Sequence, residues 1–442
     1  MTRSGQDVVR SPLAPSPTEP LDGRRLPIDL PTALRAAASD NLEIARAVAR
    51  HREALGRRRR QQGLWIPAPG AGASIGGVDG QIQGSFGDFR DVDYETATVD
   101  GTLRWVLNPG EALFDTIAAR RAADAQEAAT EATRQQVLVA TAGAYHNLAR
   151  AQAEALARRE RLDLARRKVA LARALARGAL APASDAARLE AEALLREQES
   201  RGAEQAFREG STRLAELLHL DPSVTLYPLD REIRERTLVD PVLSLADLVQ
   251  IRDERNPSIR EAGLRVASAA ASKKASFWAA WSPTAAVGLL WGGVGETFGG
   301  IHDRTVWNVS SGWSLGAWKF AEGGIADARL DLARIAEESV QARTHGALVR
   351  AWEASRAAGE RARLARDEVA AAEVARRGAG ARWEAGLVAE GDVLPAADAL
   401  ALARLHLASA IADFNRAQAD LLSHLGEVDE TSLAGPSEAP GR

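Results

Sequence analysis

The 442-residue chain contains no cysteine, one methionine and three tyrosines. The missing cysteine excludes disulfides, thiolate catalysis and Cys-based metal sites together, and any lipid attached through an N-terminal cysteine. Long apolar runs are also missing. No stretch of about 18 apolar residues exists, so no helix is expected to cross a bilayer. Residues 1–25 are polar and proline-rich. They lack the apolar core of roughly 7–15 residues that a secretory signal carries, so no signal is visible in the sequence as it stands. Excess charge of one sign is lacking too. Lys and Arg number 56 against 60 Asp and Glu, a formal net charge of −4, which gives no push towards nucleic acid or acidic partners. The seven histidines show no HExxH or HxxxH spacing, so no metal site and no cofactor is expected.

What is present is a pattern stated twice. Asn41-Leu42-Glu43-Ile44 is echoed about 215 residues on by Asn256-Pro257-Ser258-Ile259. Each echo opens an Ala-rich helical stretch that runs to a proline, Pro67 or Pro283, followed by a Gly-rich alternating segment and then a long proline-free helical run. Such duplication predicts one body built from two similar halves. The expected organisation is a disordered leader over 1–27 and a first repeat over 28–220, with two strands at about 68–108. A linker over 221–243 and a second repeat over 244–426, with strands at about 284–318, follow. A disordered tail occupies 427–442. Hydrophobic residues make up 45% of the chain and many are alanine, which predicts close, shallow helix contacts.

The strand segments decide the class. Ala97, Val99, Gly101, Leu103, Trp105 and Leu107 form one face, and Thr96, Thr98, Asp100, Thr102 and Arg104 the other. This is period two over about 12 residues. Eight of the ten tryptophans lie within 65–107 or 278–320, and tryptophan near strand ends marks the two interfaces of a membrane barrel. In the second half Ser310, Gly312, Ser314 and Gly316 are expected to line water, and Trp307, Val309, Trp313 and Leu315 to face lipid. Four strands do not close a barrel and lipid tolerates no open sheet edge, so the chain must oligomerise. Three copies would give 12 strands. The helical runs show coiled-coil steps, as at Leu162, Ala165, Val169, Ala172 and Ala176, and at Ile325, Ala328, Leu332 and Ile335. Ser184 or Asp185 is expected to cap the helix after the first turn, and Asp392 the helix after the second.

Other signals are weaker. Gly72-Ala73-Ser74-Ile75-Gly76 and Gly312-Trp313-Ser314-Leu315-Gly316 match the G-x-S-x-G pattern. A nucleophile elbow needs a sharp strand-to-helix turn at the serine, and both serines are expected inside strands, so no enzyme is expected. Gly292 to Gly300 opens no helix, which argues against a phosphate cradle. Arg57 to Arg60 reads as a solvated helix face. His219 and His424 end matching helices and suit packing or dipole roles.

Taken in order, the Asn41 and Asn256 starts, the Pro67 and Pro283 exits, Leu113-Phe114-Asp115 with its counterpart Phe320 to Gly324, and the turns Gly178 to Asp185 and Gly386 to Leu394 resemble a TolC-like outer-membrane efflux protein over about residues 28–426. The resemblance implies a mainly α fold with a small β part. Duplicated long coiled-coil helices and four strands per chain would serve a homotrimer with a 12-stranded outer-membrane β-barrel and a periplasmic α-barrel. It implies the exit duct of a tripartite efflux pump or type I secretion system, located in the outer membrane with a periplasmic extension. The duct would perform no chemistry and would work with a periplasmic adaptor (membrane fusion) protein and an inner-membrane pump. The linker and tail would form a belt. The resemblance assigns the channel gate to Asp392, with Asp185 in the matching turn, and adaptor contact to Gly178, Leu180, Gly386 and Leu387. It departs from the family where Pro395 stands in place of a second aspartate, with Asp398 beyond it. The rival reading is a soluble or periplasmic coiled-coil scaffold or adaptor, which leaves four tryptophan-rich amphipathic strands unexplained.

Overall fold

The structure is a computed structural model. It describes residues 25–229, 233–298, 300–314, 316–388 and 390–434, less the side chains at 317 and 390–392. In chain order these form β1 (Arg25–Ile28), α1 (Leu30–Asp40), α2 (Leu42–Gly63), β2 (Ala68–Gln83), β3 (Phe89–Leu107), α3 (Pro109–Arg177), α4 (Ala183–Leu217) and β4 (Thr225–Pro228). There follow α5 (Leu245–Arg255), α6 (Pro257–Trp281), β5 (Thr284–Gly295), β6 (His302–Gly312), α7 (Ala317–Glu384), α8 (Glu390–Leu425) and α9 (Glu430–Ala434). The chain is mainly helical with a small strand part. It divides into two compact units, one made of Glu43–Thr133 and Ile251–Gly346, the other of the remaining segments.

The first unit carries a four-stranded antiparallel sheet in the order β2-β3-β5-β6. Cross-strand partners share a face, so the register sorts the side chains. Leu103 stands opposite Leu289, which stands opposite Trp307, and Trp105, Val287 and Val309 align in the same way. Ala73 and Val99 pair on this apolar face, where Gly101 lacks a side chain and the Trp291 indole lies over it. The other face holds Asp100 beside Arg304 across Gly292. On it the Ser74 and Thr98 hydroxyls hydrogen-bond at 2.7 Å. β2 and β6 are the two edges, and among the described residues neither has a partner on its outer side. Beyond Gly295, the last residue of β5 paired with β3, the β2–β3 ribbon continues alone and turns acidic, with Asp79 directly opposite Asp93.

The helices of this unit keep the order of the strands they join. The Thr130 hydroxyl donates to the Ala47 carbonyl (3.3 Å), tying α3 to α2. Ser268 donates to the Ala118 carbonyl (2.9 Å), tying α6 to α3. Lys273 pairs with Asp327 (2.6 Å) between α6 and α7. The contacts are made largely by alanine, with Ala118, Ala125, Ala271 and Ala275 buried. Small side chains let helices approach closely, which is the shallow packing the composition predicts. By contrast Ile325, Leu332 and Ile335 on α7 are 51%, 66% and 61% exposed, so this apolar stripe is left uncovered among the described residues.

Four details differ from the sequence expectations. β6 ends at Gly312, because its partner β5 begins at Thr284 and no residue remains to pair further. Trp313 therefore leaves the strand and donates its indole N–H to the Ala280 carbonyl (3.0 Å), stacking near Trp281. Ser314 and Gly316 lie in the turn before α7 and not on a strand face, and Leu315 is outside the described residues. Gly323 and Gly324 sit inside α7. The Asn41 and Asn256 echoes interrupt helices as well as opening them. Asn256 accepts from the Ser258 and Ile259 amides, capping α6 after α5 has ended.

The second unit holds the rest of the long helices. Asn41 donates to the Leu217 carbonyl (3.2 Å), and His219, in a left-handed conformation at φ 52°, accepts the Leu42 amide at Nε2 (3.1 Å). Residues 25–28, the first of them expected in a disordered leader, form a strand, because β1 pairs in parallel with β4; residues 1–24 are outside the described residues. Part of the tail is a helix. Asp429 caps α9 through the Ser432 amide (2.6 Å), Leu433 is buried, and Arg134 pairs with Glu430 (2.7 Å). Residues 435–442 are outside the described residues.

The linker is zipped to α8 by side-chain amides. Asn415 accepts the Arg236 amide and donates to the Arg234 carbonyl, both at 2.8 Å. Gln418 accepts the Leu238 and Val239 amides at 3.0 Å and donates to Ser355 at 2.8 Å. Two buried carboxamides thus stand in for a partner strand. They also decide the nature of α8. Over Val393–Leu425 this helix is long and apolar enough, by length and composition, to cross a membrane, against the sequence expectation. Two of its polar side chains, Asn415 and Gln418, are buried against protein backbone, and the charged Arg404, Arg416 and Asp420 along the same helix stand about half exposed, a pattern that does not suit lipid.

Candidate functional site: the helical turns

The α3–α4 and α7–α8 turns carry all the residues that the sequence singles out. Both end a long helix in a Schellman motif, in which the second residue past the helix bonds back across six positions. In the first, the Leu180 amide donates to the Leu175 carbonyl (2.9 Å); in the second, Leu387 donates to Arg382 (2.8 Å). The motif needs one residue at positive φ. In the second turn this is Gly386, at φ 70°; in the first it is Ala179, at φ 58°. Gly178, aligned with Gly386 by sequence, is thus one position too early, and an alanine holds the left-handed place. Leu180 and Leu387 are 79% and 73% exposed at matching positions.

Asp185 does not cap α4. The N-cap is Pro182, which offers no side-chain bond, and Asp185 lies exposed in the first turn. There it complements the positive end of the helix without closing it. Asp392 is likewise the third residue of α8 and not its cap; its side chain is outside the described residues. Pro395 lies inside α8. Having no N–H, it leaves the Gly391 carbonyl without its intrahelical donor and weakens the turn that carries Asp392.

Asp398 has a different fate from a pore-lining acid. It takes a two-pronged bond from Arg161 of α3, with Nε to Oδ1 at 2.6 Å and Nη2 to Oδ2 at 3.2 Å. Arg161 is buried and Asp398 a quarter exposed. Burial by itself would raise the Asp398 pKa. The Arg161 hydrogen bond and charge, aided by Arg196 and Lys168, more than offset this and hold it below the usual carboxylate value. The pair pins α3 to α8 about four turns from the α3 tip. Nearby ion pairs zip α3 to α4, with Arg158 to Glu199 (2.8 Å), Arg166 to Glu197 (3.1 Å) and Arg173 to Glu190 (2.7 Å). The α7–α8 hairpin has an exposed ion pair, Arg404 to Glu373, and a hydrogen bond between His406 Nδ1 and Glu368 (3.1 Å). Sequence reading noted Asp398 but missed Arg161, 237 residues away, which no local signal marks.

Of the two G-x-S-x-G matches, Ser74 is engaged with Thr98 inside the sheet and Ser314 lies in a turn. Among the described residues, no group of three or more His, Asp or Glu is placed to hold a metal.

No protein-family model and no curated protein matches the sequence. Solved structures do match the fold. A membrane protein of Pseudomonas aeruginosa superposes with a TM-score of 0.77 at 19% identity, covering 90% of this chain and 93% of that one. The outer membrane protein VceC of Vibrio cholerae gives 0.75 at 21% identity, covering 90% and 96%. The open state of the MtrE outer membrane channel of Neisseria gonorrhoeae gives 0.71 at 19%, covering 90% and 88%. At these identities the likeness is one of fold, and the fold of this chain is that of the TolC-like outer-membrane efflux proteins.

Proposed function

We propose that the chain is the outer-membrane exit duct of a tripartite efflux pump or type I secretion system, working as a homotrimer. The observation that carries this reading is the open, two-faced sheet. The alternating stretch 97–107 of β3 is eleven residues long, with six of them on the apolar face. At about 3.3 Å per residue and a tilt of roughly 40°, it rises about 25 Å, the height of the apolar band on a membrane barrel. The opposite face is polar enough to line water. Two open edges in lipid are untenable. Edge β6 of one copy joining edge β2 of the next removes both, and three copies close 12 strands. The uncovered Ile325–Leu332–Ile335 stripe follows directly from the β6 edge along the chain, where a neighbouring copy would bury it.

In this reading the long helices continue the barrel as a periplasmic tube, and the linker and tail form its belt. The duct is passive, with energy supplied by an inner-membrane pump through a periplasmic adaptor. Three Asp392 carboxylates around one axis would favour cations. Asp398, bound by Arg161, adds no second ring. Asp185 acts on neighbouring helices at the matching turn. Gly178, Leu180, Gly386 and Leu387 shape the apolar tips that an adaptor grips.

The full chain, exported to the envelope and extracted in detergent, is expected at three times its 47.1 kDa mass and to form conducting pores in planar bilayers. A soluble monomer would sink the reading. Replacing Asp392→Ala should reduce cation preference in the same bilayers, and unchanged selectivity removes Asp392 from the gate.

A further inference from the structure

The run Arg57–Arg60 is not used by the duct reading. It fills the last turns of α2, a helix with seven arginines and two glutamates in a chain of net charge −4. Among the described residues only one of the four, Arg57, has an acidic partner, Glu53 at 2.6 Å. Four consecutive residues step by 100° and surround the helix, so whichever face of α2 looks outward carries an arginine.

The place of the run is fixed by its neighbours. Leu64 accepts the Trp105 indole N–H (3.2 Å), and Trp65 donates to Thr116 (3.3 Å), so residues 64–65 lie level with the start of the apolar band. Arg60 and Arg57 are four and seven residues before Leu64, about 6 and 10 Å along the helix. A headgroup layer is some 5–8 Å thick on each side of the hydrocarbon. Other cations sit at similar depth. Lys274 lies over the Phe114 ring and Lys319 over Trp318, each with its ammonium near the aromatic collar. Arg50, Arg57, Arg60 and Arg265 also border a groove of about 780 Å³ across α3, which holds the acids Glu53 and Asp115. At the opposite end of the sheet the ribbon is acidic, with Asp79, Asp91, Asp93 and Glu95. The two ends of the strands thus differ in sign.

We propose that Arg57–Arg60 bind the headgroups of anionic phospholipids in the leaflet at the helical end of the barrel, fixing the depth and direction of insertion. This rests on the barrel reading above. Anionic headgroups attract such a basic cluster additively, and the attraction is screened by salt.

The test uses the full trimeric chain reconstituted in phosphatidylcholine vesicles containing brominated phosphatidylglycerol or brominated phosphatidylcholine. Quenching of tryptophan fluorescence, to which Trp65 contributes, reports the lipid in contact. Wild type should prefer phosphatidylglycerol about fivefold or more at low salt and lose much of that preference in high salt. The quadruple Arg→Gln variant over 57–60 should lose most of it, and the quadruple Arg→Lys variant should keep it. Equal quenching by the two lipids in wild type overturns the proposal. So does a Gln variant with unchanged lipid preference but altered ion selectivity, which would place the arginines on the pore side. Failure to insert and conduct even in pure phosphatidylcholine would instead count against the barrel reading itself.

Discussion

Ala179 is held at φ 58° in the turn that ends α3. A left-handed conformation crowds Cβ against the following carbonyl and costs about 1 kcal/mol or more for a residue other than glycine. The matching turn avoids this cost with Gly386. Ala179→Gly should therefore stabilise the first turn by about 0.5–1 kcal/mol, after allowing for the extra freedom of glycine when unfolded. Thermal denaturation and slower amide exchange at residues 175–182 would register the gain; no change, or a loss, would refute the strain. Gly178→Ala should have little effect, since Gly178 has no positive φ and only ordinary contacts around its Cβ position. The sequence placed glycine, leucine and aspartate in these turns, but it did not reveal which residue takes the left-handed place. One residue of register, set by where the last helical hydrogen bond falls, decides that.

Among the elements, the contact between α3 and α8 includes one buried arginine, Arg161, paired with Asp398. Removing the acid from such a pair strands a charge in poor solvent and commonly costs about 3–5 kcal/mol. Because Asp398 is a quarter exposed, screening reduces this, and Asp398→Ala is expected to destabilise by roughly 2–3 kcal/mol in denaturant titrations. The pH dependence has a definite sign. The folded pKa of Asp398 lies below its ordinary value, so the pair contributes fully above about pH 4. Its contribution is lost as pH falls through the depressed folded value. Wild type should then lose more stability than Asp398→Asn between pH 5 and roughly pH 2. Parallel curves would show that the pair has no such role. Strands were the most legible elements. The alternation over 96–107 marks β3, whose apolar and polar faces follow from period two. The end of β6 was not legible, because it is set by the start of β5, a partner that the local pattern Trp313 to Gly316 does not report.

At the level of the molecule, the duct reading depends on surfaces that one copy leaves unfinished. If a neighbouring copy covers α7, then Leu332→Asp with Ile335→Asp puts carboxylates where two side chains would each gain about 2 kcal/mol on burial. The double variant should shift the detergent-extracted protein from three copies to one while leaving its helical content by circular dichroism intact. A trimer that survives both changes would show that this stripe faces something other than a second copy.

The sequence by itself determined the periodic features, the duplicated order of elements, the alternation of β3 and the alanine-rich seams, and its lack of cysteine excluded thiol chemistry. Each is a short-range pattern that the backbone geometry of a strand or helix reads directly. The tertiary structure alone decided which distant groups meet. It paired Arg161 with Asp398, set Asn415 and Gln418 against the linker backbone, ended β6 at Gly312 and brought Leu64 level with Trp105. Hydrogen bonds and ion pairs of this kind depend on position in space to within a fraction of an ångström, and residues hundreds of positions apart carry no mark of it.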